Sequence, residues 1–177
     1  VIHRDIKPSN ILMSATGPRV IDFGISFSSD ATALTRTGMV AGTPTWFSPE
    51  QFQGTKITTA VDNFAVGSVL YFAATGSSPW GKEDTSVANT MNQILTKEPD
   101  LSLLSENQRI IISQLLDKNP KNRITANDCV GLIEGIKNTK QLAGEPPVFG
   151  GTNRKKFVAI AAAAFLLVAG GLGFGLN

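Results

Sequence analysis

Residues 157–176 read FVAIAAAAFLLVAGGLGFGL, 20 side chains with no charge and no strongly polar group. As an α-helix such a run is about 30 Å long, the thickness of a bilayer's hydrocarbon core. Core helices of globular domains rarely extend this far without one polar face, so the run predicts a transmembrane helix. Asn153-Arg154-Lys155-Lys156 stand just before it, and basic residues beside a span favour the cytoplasmic side. The expectation is a single-pass protein of the cell membrane, with residues 1–156 in the cytoplasm. A cleaved secretory signal does not fit a C-terminal position. Gly171 and Gly175 have the spacing that permits close helix approach, one route to a homodimer.

The remainder divides in two. Residues 1–138 alternate apolar runs with turn signals and read as a folded domain. Residues 139–156 contain Gly144-Glu145-Pro146-Pro147 and Gly150-Gly151 and read as a juxtamembrane linker. No internal repeat is visible. Sixteen Lys and Arg against 14 Asp and Glu leave a net charge of +2, too small a bias for a nucleic-acid partner. The single cysteine, Cys129, excludes an internal disulfide and fits a reducing compartment. It lies in a helix-like stretch and reads as a small buried apolar side chain. One His and one Cys cannot build a zinc site.

Within the folded region, Asn10-Ile11-Leu12-Met13 and Arg19-Val20-Ile21 flank a turn, Ser14-Ala15-Thr16-Gly17-Pro18, and predict a β-hairpin. The Ser-, Thr- and Gly-rich stretch 26–45 is too long for an ordinary connection, so it is either functional or mobile. Val61 to Thr75 is nearly all apolar and predicts a buried central helix. Val87 to Thr96 and Glu106 to Leu116 have amphipathic spacing. Thr125 to Ile136 opens with an N-cap threonine followed by Asp128 at the third position.

Asp5, Asn10 and Asp22 arrive in order around the hairpin. Hard divalent cations take oxygen ligands, and Mg²⁺ uses one or two from protein beside substrate phosphates. A hydroxyl that attacks phosphorus needs a positioned proton acceptor. A hairpin that begins after Asp5 and ends before Asp22 can bring all three to one edge, which points to phosphoryl transfer.

The longer motifs sharpen this. His3-Arg4-Asp5-Ile6-Lys7-Pro8-Ser9-Asn10 resembles the protein-kinase catalytic loop, Asp22-Phe23-Gly24 the metal-binding triplet, and Ser48-Pro49-Glu50 the Ala-Pro-Glu that closes the activation segment. With Lys7 marking the serine/threonine branch, and with the Thr35-x-Thr37 pair, Gly42-Thr43, Ser48-Pro49-Glu50 and the layout of domain, linker and single span, the chain resembles bacterial receptor-type serine/threonine protein kinases. The fold this implies is protein-kinase-like α+β: a mainly helical large lobe of five or six helices, a short β-hairpin, and the C-terminal span. The resemblance makes Asp5 the acceptor of the substrate hydroxyl's proton and sets Lys7 on the transferring phosphate. Asn10 and Asp22 hold Mg²⁺ or Mn²⁺, and ATP is the phosphate donor. Thr43 bridges Asp5 and Lys7 and seats a Ser or Thr of a protein substrate. Glu50 pairs with Arg123, and Asp62 anchors the catalytic loop from the central helix. His3 packs inward beside Phe23 and is neither base nor metal ligand, and Phe23 and Gly24 are structural members of their triplet. Arg4 is the arginine that a phosphate on Thr35 or Thr37 would meet, with Ser28 and Thr32 as weaker candidates. An extracytoplasmic sensor often follows the span in this group; here the chain stops one residue past it, through truncation or as a tail anchor.

Ser48 replaces the usual alanine, Phe64 a frequent tryptophan and Ala65 a frequent serine. The family's Gly-rich phosphate loop, strand lysine and glutamate partner stand ahead of the catalytic loop, and residues 1–177 contain none of them. Residues 1–177 alone are thus expected not to transfer phosphate efficiently, and to expose an apolar face where the ATP-binding lobe would sit. Two other readings compete. A pseudokinase or scaffold would bind partners without catalysis, which the intact Asp5, Asn10 and Asp22 argue against. A small-molecule phosphotransferase of the aminoglycoside-kinase type shares a similar loop, but neither Lys7 in this setting nor the long segment ending in Ser-Pro-Glu.

Overall fold

The structure is a computed structural model that describes residues 1–15, 17–22, 43–81 and 86–142. The predicted transmembrane run and most of the predicted linker lie outside these residues, and no helix among them is long and apolar enough to cross a membrane. Strands β1 (Ile11–Ser14) and β2 (Gly17–Val20) form an antiparallel hairpin, followed by helices α1 (Pro49–Gln53), α2 (Ala60–Thr75), α3 (Val87–Thr96), α4 (Glu106–Leu115) and α5 (Ala126–Leu142).

The hairpin is tighter than its sequence suggests. Strand pairing runs Ile11 with Val20, Leu12 with Arg19, Met13 with Pro18 and Ser14 with Gly17. One more bond, Ile21 N–H to Asn10 O at 2.9 Å, continues the ladder. Hydrogen-bonded and non-bonded pairs alternate in an antiparallel ladder, so this bond puts Met13 and Pro18 at a non-bonded position. Proline lacks an N–H, yet none is needed there, and Pro18 enters the strand where the sequence predicts turn.

Helix α2 is the axle. Every residue from Val61 to Val69 is buried. Its Ala65, Val66 and Val69 join Ile6, Ile11, Trp46, Leu115 and Cys129 in one apolar cluster. Its Phe64 and Tyr71 join Phe47, Phe52, Trp80, Ile94, Leu104, Ile112 and Leu116 in another. A helix buried on all sides has to satisfy its polar side chains internally. Asn63 Nδ2 donates to Ile124 O at 3.0 Å, Ser68 Oγ accepts from Trp80 Nε1 at 3.1 Å, and Tyr71 OH donates to Asp100 O at 2.8 Å. Gly67 is where α4 crosses: a Cβ there would lie 2.8 Å from Leu115 Cβ and 2.9 Å from Leu116 Cδ2.

Capping residues set the helix starts. Ser48 with Gln51, and Ser105 with Gln108, form capping boxes at α1 and α4. Ser86 Oγ accepts from Asn89 N–H at α3, and Thr125 Oγ1 from Asp128 N–H at α5. Helix α5 begins where its cap predicts but continues to Leu142, into the stretch read as linker.

Candidate active site

The segment from His3 to Asn10 is held from beneath by α2. Asp62, in the first turn of that helix, accepts His3 N–H on Oδ2 and Arg4 N–H on Oδ1, each at 2.8 Å. Burial pushes the Asp62 carboxyl above its ordinary value, and the two N–H bonds and nearby His3 oppose it. The bonded backbone takes an unusual shape: Arg4 has φ +68°, in the left-handed region that non-glycine residues rarely occupy. Bonds to a charged acceptor contribute roughly 1.5–3 kcal/mol each. Asp62→Ala is therefore expected to lower stability by about 3 kcal/mol and to speed amide exchange at His3 and Arg4. Urea unfolding with exchange mass spectrometry checks this, and a loss below about 1 kcal/mol would contradict it.

His3 is buried and acts as a spacer between strand and loop. Asp5 N–H donates to its Nδ1 at 3.3 Å, so Nδ1 is the acceptor. The ring proton therefore sits on Nε2, which donates to Ile21 O at 3.1 Å. The next turn brings Asn10 back over Asp5. Pro8 starts a single 3₁₀ turn, Pro8–Asn10, closed by Asn10 N–H to Lys7 O at 3.0 Å. Asn10 Nδ2 then donates to Asp5 O at 2.8 Å and to Asp5 Oδ2 at 3.0 Å.

Lys7 Nζ lies 2.9 Å from Asp5 Oδ2 and 3.5 Å from Thr43 Oγ1. The bridging group is thus the Lys7 ammonium, between Asp5 and Thr43, where the resemblance had put the Thr43 hydroxyl between Asp5 and Lys7. Asp22 sits one residue beyond the Ile21–Asn10 bond, exposed and left-handed at φ +54°. Asp5, Lys7, Asn10 and Thr43 form one connected cluster, and the hairpin brings Asp22 to the same end. Phe23, Gly24, Ser28, Thr32, Thr35 and Thr37 lie outside the described residues.

Behind this edge, Glu50 and Arg123 form a buried, two-pronged ion pair. Arg123 Nη1 donates to Glu50 Oε1 at 2.6 Å and Nη2 to Oε2 at 3.1 Å. The guanidinium also donates to Ala60 O and Asp117 O and lies 4.9 Å from the Phe64 ring centroid. The pair ties α1, which follows the site segment, to the turn before α5.

Two contributors, Gln51 and Lys118, have no counterpart in the sequence reading, while Cys129 is buried as that reading expects. Gln51 completes the α1 capping box and reaches Arg4 O at 3.3 Å; its spacing from Ser48 is the one local signal for it. Lys118 donates to Ile94 O at 2.7 Å and stands 3.7 Å from the Trp80 centroid. Burial holds its ammonium down to about 8, although Glu98 opposes this. Cys129 is buried, and burial pushes its thiol up to about 11, as suits a packing residue.

The family described as the protein kinase domain matches residues 1–132. The chain belongs to the protein kinase family. Among similar proteins, one named "Probable serine/threonine-protein kinase PkwA" from Thermomonospora curvata is 41% identical over 133 residues, covering 75% of this chain and 18% of that protein. Serine/threonine-protein kinase AfsK of Streptomyces coelicolor is 40% identical over 124 residues, covering 70% of this chain and 15% of the relative. PkaA of the same organism, also a serine/threonine-protein kinase, is 38% identical over 142 residues, covering 77% and 25%. The chain thus spans a quarter or less of the length of these three kinases.

Proposed function

We propose that this chain carries the catalytic edge of a protein serine/threonine kinase, transferring the γ-phosphate of ATP to protein hydroxyls. The observation that carries the reading is the cluster in which Asp5 is fixed by Asn10 and Lys7. Among the described residues both bonds fall on Asp5 Oδ2, which leaves Oδ1 to accept the proton of an incoming hydroxyl. As that oxygen bonds to the γ-phosphorus, the bond to the ADP oxygen breaks and the proton passes to Asp5. The Lys7 ammonium stands within reach of the same point and stabilises negative charge on the transferring group. Thr43, on the other side of Lys7, lines the place for the hydroxyl-bearing residue.

The donor set fits a hard divalent cation. The Asn10 NH₂ is committed to Asp5, so its Oδ1 is the atom available to a metal, and the exposed Asp22 carboxylate lies just past β2, the strand paired with the one that Asn10 precedes. Mg²⁺ or Mn²⁺ held there would neutralise the phosphate charge of the bound nucleotide. Leu12 of β1 is 53% exposed, an apolar side chain suited to the nucleotide base.

Three further parts of the proposal rest on sequence alone. The run 157–176 with its preceding basic residues supports a single span with the catalytic region in the cytoplasm. Gly171 and Gly175 support pairing of two copies. Thr35 and Thr37 are the proposed regulatory phosphorylation sites, ordering their segment through arginine contacts. The test is phosphoamino-acid analysis after incubating the full-length protein with γ-labelled ATP and casein. Phosphoserine and phosphothreonine, lost on chelation by EDTA, are expected; phosphotyrosine, or no transfer, would overturn the reading.

A further inference from the structure

We propose that Gln51 is a positioning residue of this centre, fixing the peptide plane that leads into Asp5 to the end of the segment that closes at Ser48. This rests on reading the cluster as a kinase centre.

The Arg4 carbonyl and the Asp5 N–H belong to one peptide plane, and its rotation aims Asp5. The plane is gripped at both edges. Its N–H donates to His3 Nδ1 at 3.3 Å, and its carbonyl accepts from Gln51 Nε2 at 3.3 Å. Arg4's left-handed backbone supplies strain that would turn this plane if either grip failed. His3 and Asp62 hold the loop to its own hairpin and to α2. Gln51 holds it to α1 and to Ser48.

The orientation of the Gln51 amide is fixed by its partners. Ser48 N–H can only donate, so Oε1 must face it, at 2.9 Å, and Ser48 Oγ lies 3.1 Å from the same oxygen. The NH₂ therefore points at Arg4 O, which can only accept. A capping box accepts glutamate or glutamine at this position. Only glutamine also supplies the donor that the Arg4 carbonyl uses. A displaced Ser48 would thus pull on the peptide before Asp5, so the substrate-side segment and the catalytic carboxylate move together.

Gln51→Glu separates the two roles. It retains the oxygen that caps α1 and turns a second oxygen, not a donor, toward Arg4 O. In the full-length protein, with ATP and casein, kcat is expected to fall about tenfold, since small misplacement of a reacting group is costly. KM for ATP should stay at the wild-type value. By exchange mass spectrometry the Asp5 amide should exchange about tenfold faster, while α1 amides keep their protection. If Gln51→Glu does not fold, Gln51→Met and Ser48→Ala form the replacement pair. Fast Asp5 exchange is expected in the first only. Unchanged kcat and Asp5 exchange in Gln51→Glu would overturn the proposal, as would equal loosening of Asp5 and α1. If the wild-type protein transfers no phosphate, the kinase reading fails, and the exchange data alone decide whether Gln51 positions the loop.

Discussion

Arg123→Ala is expected to lower the stability of the folded domain by about 3–5 kcal/mol, the cost of leaving one member of a buried ion pair alone. The Arg123 side chain is wholly shielded from solvent and that of Glu50 nearly so, at 0% and 2% exposure. Removing the guanidinium strands the Glu50 carboxylate and also leaves Ala60 O and Asp117 O without their donor. The loss exceeds that of a surface pair because water cannot re-enter to solvate the orphan. Arg123→Met with Glu50→Gln removes both charges together, and should cost much less than the sum of the single changes. Urea unfolding of the wild type, Arg123→Ala, Arg123→Met, Glu50→Gln and the double variant measures this. Additive losses each below about 1 kcal/mol would show that the pair contributes as a surface contact does. Since Glu50 sits in α1 beside Gln51, the Arg123 change should also loosen the Ser48–Arg4 connection and speed exchange at Asp5.

Much of this architecture is legible in residue order because local chemistry dictates it. Thr125 stops the chain from entering α5 earlier, and Gly76, at φ +81°, ends α2 where the apolar run ends. Asp62 is readable as the loop's anchor only through the kinase resemblance, since no periodicity links it to residues 3 and 4. The same holds for Glu50 and Arg123, which are 73 positions apart. Hairpin register is less legible: Pro18 looks like turn until the Asn10–Ile21 bond shows that it falls at a non-bonded position. The length of α5 has no stop signal before Leu142, because Gly131 and Gly135 sit inside the helix with open space around them. The two tertiary contacts of Gln51 and Lys118 are invisible in sequence. Each joins a side chain to a backbone carbonyl, and a carbonyl carries no residue identity.

Asp5→Asn is expected to reduce kcat by about 10²–10⁴-fold, the usual contribution of a positioned general base. The substitution preserves shape. The amide oxygen can take the Oδ2 position facing Lys7 and Asn10, which leaves an NH₂ where the substrate hydroxyl must hand over its proton. The lost group acts on the reacting atoms and not on the nucleotide, so the effect belongs in kcat and not in ATP affinity. The most direct test is single-turnover transfer from γ-labelled ATP to casein by the full-length protein, wild type against Asp5→Asn, with the ATP dissociation constant measured on both. A rate loss of about 10²-fold or more at unchanged ATP affinity is predicted. A rate equal to that of the wild type would contradict the assignment of this edge as the phosphotransfer centre.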